Sequence, residues 1–480
     1  LMQLEGVGPK TALRLNRELG ITSIDQLEAA ARMGRLRGVK GFGARTEENI
    51  LKAIEEYRGR QERHLLGGIQ PLVKGVISYM RMDEAVIEVE AVGSTRRMAE
   101  TVGDLDILVS SERPTAVVRR FTSMPNISRV ISKGRTRSTV ILGKGVRVDL
   151  RVVPPESYGA ALQYFTGSKE HNIKLRKMAK ERGLKLSEYG LFERGSGKRI
   201  AGGKEWEIYH HLGLSWIEPE LREDRGEIEA AASGSLPRLV GYGEVRGDLH
   251  LHTNWSDGTG TIEEMAEKAR EMGLEYIAIC DHSKTLGIAR GLDEGRLREQ
   301  MREIDRINER MEGFTILKGV ECNIKADGNL DLSNSALRDL DFVIAAIHSG
   351  FKSDEKQMTE RLIKAINNDH VSAIAHPTGR IIQRRRGYPL DLDRVLEEAS
   401  RQGVMMEINA FPDRLDLNEL NSRKAGEMGV TLYIGTDAHT PSQMDFLPLG
   451  VAVARRGWLE AGSVANTLDA GNLLRRIRKG

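Results

Sequence analysis

Cysteine, aromatic residues and long apolar runs are all scarce in this sequence. Its two cysteines, Cys280 and Cys322, are too few for a disulfide framework. No run reaches the ~18 consecutive apolar residues that a membrane span needs. A basic-then-apolar leader is also missing from its start. These absences argue against a secreted disulfide scaffold or a membrane protein, and the expectation is a chain of the reducing cytoplasm without a membrane partner. Aromatic residues make up 5% of the chain, but 40% is hydrophobic and 29% charged, which is ordinary for globular domains. At 480 residues, about three domains are expected at one per ~150 residues.

The net charge of +3 conceals an asymmetry. Residues 1–250 carry 41 Lys and Arg against 33 Asp and Glu, whereas residues 251–480 carry 31 against 36. Between Arg113 and Arg151, ten basic residues face a single acid, Asp149. Such a stretch is either a solvated face or the footprint of a polyanion.

The opening 65 residues read as helical, with two Gly-x-Gly turns just ahead of helix starts: Gly6 and Gly8 before Lys10, and Gly41 and Gly43 before Arg45. Backbone N–H groups at a helix start can hold a phosphate. One such turn is most often a tight helix-helix connection, but the repeated arrangement is similar to the paired helix-hairpin-helix that grips a DNA backbone without reading its sequence. From Val86 the texture becomes strand-like, a basic helical stretch follows around 158–183, and residues 225–244 read as a small-residue linker. The second half alternates seven apolar strands, near 245–252, 275–280, 314–320, 341–347, 371–375, 403–408 and 430–436, with polar amphipathic stretches. That alternation predicts a parallel sheet, either open or closed as a barrel.

Two constellations carry chemistry. In VGDLDILVS, Asp104 and Asp106 are two residues apart and share a strand face, and Asp149 in VRVDLRVV is placed to lie beside them. Three carboxylates on one face repel one another unless cations sit among them, which suits hard divalent ions and in-line phosphoryl transfer. Gly93 and Ser94 add a turn that could hold triphosphate oxygens. In the second half, His250 and His252 alternate on one strand and Asp257 follows. His282, Glu321, His348, His376, Asp437 and His439 each come just after a predicted strand. Strand C-terminal ends are where barrels assemble their sites, and a His, Asp and Glu mixture favours Zn²⁺, Mn²⁺ or Fe²⁺. A single histidine there is usually a core residue; ligands from so many strand ends are not coincidence.

The stretches GSTRRMAETVGDLDIL and RVDLRVVPPESYGAALQYFTGS resemble the palm and thumb of a family X DNA polymerase, the group that includes DNA polymerase beta. HLHTNWSDG, DHS, GVE, IHSG, AHPTG and GTDAH resemble the PHP (polymerase and histidinol phosphatase) domain. Together these cover nearly the whole chain, which looks to open inside the second of the family's helix-hairpin-helix motifs. The fold implied is a multidomain α/β protein: helix-hairpin-helix fingers at 1–65, a nucleotidyltransferase palm with a mixed sheet at 66–153, an α/β thumb at 154–224, the linker, and a seven-stranded (β/α)7 PHP barrel at 245–480.

The resemblance also implies roles. Asp104, Asp106 and Asp149 would be catalytic and hold two Mg²⁺ or Mn²⁺ ions, with Asp149 assisting loss of the primer 3′-hydroxyl proton. Gly93, Ser94, Arg97 and Gly103 would hold the nucleotide phosphates. Tyr164, Phe165 and Gly167 would shape the sugar pocket, with Asn172 toward the base and Arg176 toward the template. The family's nine PHP ligands map onto His250, His252, Asp257, His282, Glu321, His348, His376, Asp437 and His439, for up to three Zn²⁺, Mn²⁺ or Fe²⁺ ions. The expected activity is short-gap DNA synthesis in base excision repair with 3′–5′ exonuclease activity, using DNA and dNTPs, as a monomer. Alternatives are a PHP 3′-phosphatase or AP endonuclease with a weak polymerase, and a non-catalytic DNA-binding scaffold. Met98 stands where DNA polymerase beta has glycine. His64, His171, His210, His211 and His370 are expected at the surface or on helices, the two cysteines as packing residues, and Gln383–Arg386 as a guide for a DNA strand.

Overall fold

The computed structural model describes every residue except 2, 3, 5, 6, 40, 62, 144 and 478–480, and the backbone alone at 9, 10 and 55–61. Gly6 therefore lies outside the described residues, as does the side chain of Lys10. The first unit is helical: Pro9–Leu19, Ile24–Arg32 and Ala44–Gln61. Gly8 caps the first helix with Pro9 at its opening turn, and Ser23 and Gln26 form a reciprocal capping box on the second. Leu15, Leu27, Leu36 and Ile54 are buried between them. Gly8, Gly41, Gly43 and Arg45 are exposed at the two turns, as a backbone-gripping role requires.

The helix Leu66–Arg81 packs on a five-stranded mixed sheet. At its centre Leu105–Ser110 runs parallel to Val146–Val153 and places Asp106 directly opposite Asp149. Asp104 precedes that strand in an exposed turn. The thumb follows, with helices Tyr158–Thr166 and Lys169–Glu181 and a three-stranded sheet. A Cβ at Gly159 would lie 2.1 Å from the Lys204 carbonyl carbon, so only glycine lets these backbones approach.

One expectation needs correction. Residues 225–244 are not a free linker: Glu227–Ser233 is a helix, and Ile228, Ala231 and Leu239 belong to the thumb's apolar cluster. His171, expected at the surface or on a helix, lies on the helix Lys169–Glu181 and faces inward. It is fully buried, donating from Nδ1 to Glu227 at 2.6 Å and facing the Tyr209 hydroxyl at 3.1 Å. Burial holds His171 below its ordinary pKa despite the Glu227 carboxylate. Burying an imidazole without partners would be costly, so this bonded pair is what permits it. The Ala- and Gly-rich composition of 225–244 hid a helix whose first residue, Glu227, is one half of that pair.

The last unit is a parallel barrel in strand order Gly247–Leu251, Tyr276–Ile279, Thr315–Asn323, Phe342–Ala346, Ala373–Ile374, Met405–Asn409 and Leu432–Gly435. All seven predicted strands are present. A bridge between Leu251 and Ala438, with the Asp437 N–H donating to the His250 carbonyl, joins the last strand to the first. Most strand residues are buried on both faces, which explains the continuous apolar runs in the sequence. Cys280 and Cys322 are buried packing residues as expected. Among the described residues no helix is long and apolar enough to cross a membrane.

Candidate active sites

In the palm, Gly93 has φ +65° and a Cβ there would stand 2.9 Å from Asp106 Oδ2 and 3.9 Å from the Phe165 carbonyl. The Gly93–Arg97 turn, the Asp106 strand and the Tyr164–Gly167 turn thus converge. Asp106 is half-buried; burial, then Asp149 and Asp104, push its pKa up to about 6. Burial is the larger cause, and the two neighbouring carboxylates add to it against the opposing charge of Arg147. The only cation placed among them in the described residues is Arg147, whose Nε lies 2.9 Å from Asp149 Oδ2 and 3.8 Å from Asp104 Oδ2. Arg147 went unremarked because nothing in VRVDL distinguishes it from a solvated strand residue. Thr139, opposite Asp149 on the next strand, donates its hydroxyl to Asp149 Oδ1.

Arg97 is engaged by protein groups. Its Nη1 donates to the Thr166 carbonyl at 2.6 Å and its Nε to Glu223 at 3.0 Å. Ser94 is half-buried on the same turn, and Gly103 lies 3.7 Å, at its Cβ position, from the Arg63 guanidinium. Tyr164 and Phe165 pack edge to face. The Asn172 side chain is buried, donating to the Tyr164 carbonyl at 2.6 Å and accepting from Gln163 at 2.7 Å. Here it braces the turn instead of facing open space toward a base. Arg176 is exposed one helical turn beyond. In the barrel loop, Arg384 and Arg386 are exposed, whereas Arg385 donates to the Gly379 carbonyl and stacks on Phe351.

All nine predicted barrel ligands come together around Glu321. Its Oε1 lies 2.9 Å from His376 Nε2 and 3.2 Å from His348 Nε2. Its Oε2 lies 2.6 Å from His282 Nδ1 and 3.7 Å from His252 Nε2. His252 Nε2 is 3.1 Å from His250 Nε2 and 3.2 Å from Asp437 Oδ1, and His439 Nε2 is 3.4 Å from Asp257 Oδ1. Seven of the nine fall into three overlapping groups, His252, Asp257, His282 and His439; His250, His252 and Glu321; and His282, Glu321 and His348, with His376 and Asp437 beside them.

Three observations show that this set fits metal ions. First, three imidazoles are turned the same way. His250 Nδ1 donates to Glu407 at 2.7 Å, His348 Nδ1 to Asn323 Oδ1 at 2.5 Å, and His439 Nδ1 to the Asp437 carbonyl at 2.8 Å. Each partner is an oxygen acceptor, so Nδ1 carries a proton and Nε2 is turned toward the cluster, the orientation seen in metal-ligating histidines. Second, His252 Nδ1, His282 Nδ1 and Glu321 Oε2 are buried without a hydrogen-bond partner among the described residues. The last two are 2.6 Å apart but not aligned as a bond. Third, His252 is driven down to about 3 by burial and by His439 and His282, which leaves it an unprotonated donor. Around Glu321, burial alone would disfavour the charged carboxylate, yet His348, His282 and His250 hold it well below its ordinary range.

Sequence reasoning missed the residues behind the ligands. Glu407 is fully buried, bonded to His250 Nδ1 and to the His376 backbone N–H at 2.6 Å. An acid inside the apolar strand MMEIN was the available signal. Asn323 orients His348, and Asn409 donates to Asp437 at 3.1 Å. Asp281 holds the Thr253–Ser256 loop through both its oxygens, and Arg414 brings its Nε to 3.4 Å from Asp437. Replacing Glu407 with Gln is expected to lower metal affinity about 10–100-fold, the usual effect of losing a carboxylate behind a histidine ligand. Metal titration of the apo-protein followed by calorimetry checks this, and an affinity equal to that of the unaltered chain would contradict the arrangement described.

Comparison with known proteins places the two sites in context. Residues 161–223 match the DNA polymerase beta thumb, 248–411 the PHP domain and 1–56 the SAM-like helix-hairpin-helix tandem. The chain is 42% identical over 468 residues to the DNA polymerase/3′-5′ exonuclease PolX of Bacillus subtilis (strain 168), covering 97% of this chain and 82% of that protein. A probable phosphatase of Thermoanaerobacter sp. (strain X514) is 34% identical over 244 residues, which is 48% of this chain and 94% of the relative. A solved structure of Leishmania infantum polymerase beta in a ternary P/T complex aligns with TM-score 0.33 at 22% identity, over 46% of this chain and 96% of that one.

Proposed function

The chain belongs to the family X DNA polymerases that carry a PHP domain, and on that premise we propose that it lengthens a DNA 3′ end at the palm and shortens it at the barrel. The observation that carries the reading is the likeness over 97% of the chain to a protein named for both activities. The two separated acid and histidine clusters agree with it. The domains follow the boundaries drawn above, except that residues 225–244 join the thumb.

When bound, divalent cations at each site supply charge stabilisation for the phosphoryl group under attack. In the palm, Asp104, Asp106 and Asp149 hold two Mg²⁺ or Mn²⁺ ions. Asp149, steadied by Thr139 and Arg147, accepts the proton of the primer 3′-hydroxyl. Ser94, Arg97 and the Gly93 and Gly103 backbones hold the phosphates, while Tyr164, Phe165 and Gly167 enclose the sugar. Asn172 supports that enclosure, and Arg176 faces the template. The exposed turns at Gly8 and Gly41–Arg45 hold the DNA backbone.

At the barrel, the nine ligands hold up to three Zn²⁺, Mn²⁺ or Fe²⁺ ions. Arg414 is placed beside Asp437 to pair with a phosphate oxygen of the strand being cut. The exposed Arg384 and Arg386, on the loop that follows His376, would guide the DNA strand. The biological task is short-gap filling in DNA repair within the cytoplasm, by a monomer using dNTPs.

The likeness of the barrel half to probable phosphatases favours a second reading, removal of a 3′-phosphate. One assay separates the two. A 5′-labelled primer on gapped DNA, ending in either 3′-hydroxyl or 3′-phosphate, is incubated with Mn²⁺ and no dNTP. Stepwise shortening of the 3′-hydroxyl primer supports the exonuclease. Dephosphorylation without shortening supports the phosphatase, and inertness of both primers defeats both readings. Adding dNTP must lengthen the 3′-hydroxyl primer if the palm reading holds.

A further inference from the structure

Charged groups from three parts of the chain meet beside the Gly93–Arg97 turn. Arg456 ends the barrel helix Leu447–Arg456 and is 7% exposed. Its Nη1 donates to the Arg97 backbone carbonyl at 2.7 Å and to Glu223 Oε1 at 2.9 Å, and its Nη2 donates to Glu419 at 3.2 Å. Arg97 donates through Nε to that same Glu223 oxygen. Glu419 also receives Arg225 Nη1 at 3.3 Å, which ties the cluster to the last segment of the thumb. A single thumb carboxylate oxygen is therefore shared between a palm arginine and a barrel arginine.

Sharing matters because a carboxylate and a phosphate compete for the same guanidinium fork. With Arg456 present, Glu223 has a second cation to satisfy it and the Arg97 backbone is pinned from the barrel side. Without Arg456, a largely buried Glu223 is left to Arg97 alone, and the fork-to-fork geometry available to that pair draws the guanidinium away from an incoming phosphate. A residue carried on a rigid helix also fixes its partner more tightly than one on a loop.

We infer that Arg456, a residue of the PHP barrel, is a positioning residue for the polymerase: it loosens the Glu223 hold on Arg97 and so sets nucleotide affinity at the palm. The inference rests on the assignment of Arg97 to the nucleotide phosphates. It means that the barrel supports the synthetic site through packing, in addition to bearing its own chemistry.

The test is single-nucleotide insertion by the full chain on gapped DNA, with dNTP concentration varied. Arg456→Met is expected to raise the dNTP KM about tenfold, the effect of weakening one charge-assisted hydrogen bond, with kcat little changed. Arg456→Lys, which keeps the charge without the fork, should fall between. Arg456→Met combined with Glu223→Gln should recover most of the lost affinity, because a neutral amide releases Arg97. Arg455→Met is the control. Arg455 lies on the same helix and joins the barrel to Glu220 at 2.7 Å and to the Val240 carbonyl at 3.0 Å without touching Arg97. It should leave KM unchanged. An unchanged KM in folded Arg456→Met, an equal rise in Arg455→Met, or no recovery with Glu223→Gln would each overturn the inference. A wild-type chain that adds no nucleotide defeats the polymerase reading and this inference with it, whereas an active wild type with an unaffected Arg456→Met defeats this inference alone.

Discussion

Replacing Asp106 with Asn is expected to lower nucleotide addition about 1000-fold or more, since the charge stabilisation lost with a metal ligand amounts to several kcal/mol of barrier height at about 1.4 kcal/mol per decade. The shortening activity should be unaffected. Stability supplies an independent check. A carboxyl whose folded pKa is raised, here to about 6 from 3.8, is destabilising in its charged form above that pKa. At pH 7 the neutral amide removes that penalty, so the metal-free variant should melt no lower than the metal-free wild type. The advantage of the variant should fade as pH falls below about 6 and the wild-type carboxyl takes up its proton. Primer extension and thermal melts across pH measure both effects. A variant that loses activity and melts well below wild type would show Asp106 to be a packing residue.

The mirror experiment is His250→Ala with His252→Ala. Both imidazoles are fully buried at the centre of the barrel cluster, with Nε2 atoms 3.1 Å apart. Their loss removes donors from all groupings that include them and leaves Glu407 buried without the His250 N–H that it accepts. Shortening of a 3′ end should fall about 1000-fold or more on the same reckoning of several kcal/mol. Metal content per chain should drop with it, read by elemental analysis of the purified protein. Nucleotide addition should persist, because the palm carboxylates share no residue with the barrel ligands. Undiminished shortening in this variant would place the nuclease chemistry elsewhere.

The seven strands could be read from the sequence because a parallel barrel buries both strand faces, turning each strand into a short apolar run between polar helices. The ligands could be read because they stand at the C-terminal end of such a run or in the loop just after it. What stands behind them could not. Glu407 is 157 residues from His250 in sequence, and Asn323 is 25 from His348, with no local pattern to join them. The same holds for Arg97 and Glu223, 126 residues apart, and for Glu223 and Arg456, 233 apart. Composition misled at 225–244, where alanine and glycine suggested a linker although Ile228 and Glu227 are core residues of the thumb.

One measurement tests the two-site claim most directly: a 5′-labelled primer on gapped DNA, incubated with Mn²⁺ with and without dNTP, run side by side for wild type, Asp106→Asn and the His250→Ala, His252→Ala double variant. The expected result is lengthening with dNTP and shortening without it for the wild type, shortening only for Asp106→Asn, and lengthening only for the histidine variant. Loss of both directions in either variant, with the protein folded, would contradict two independent sites working on the same 3′ end.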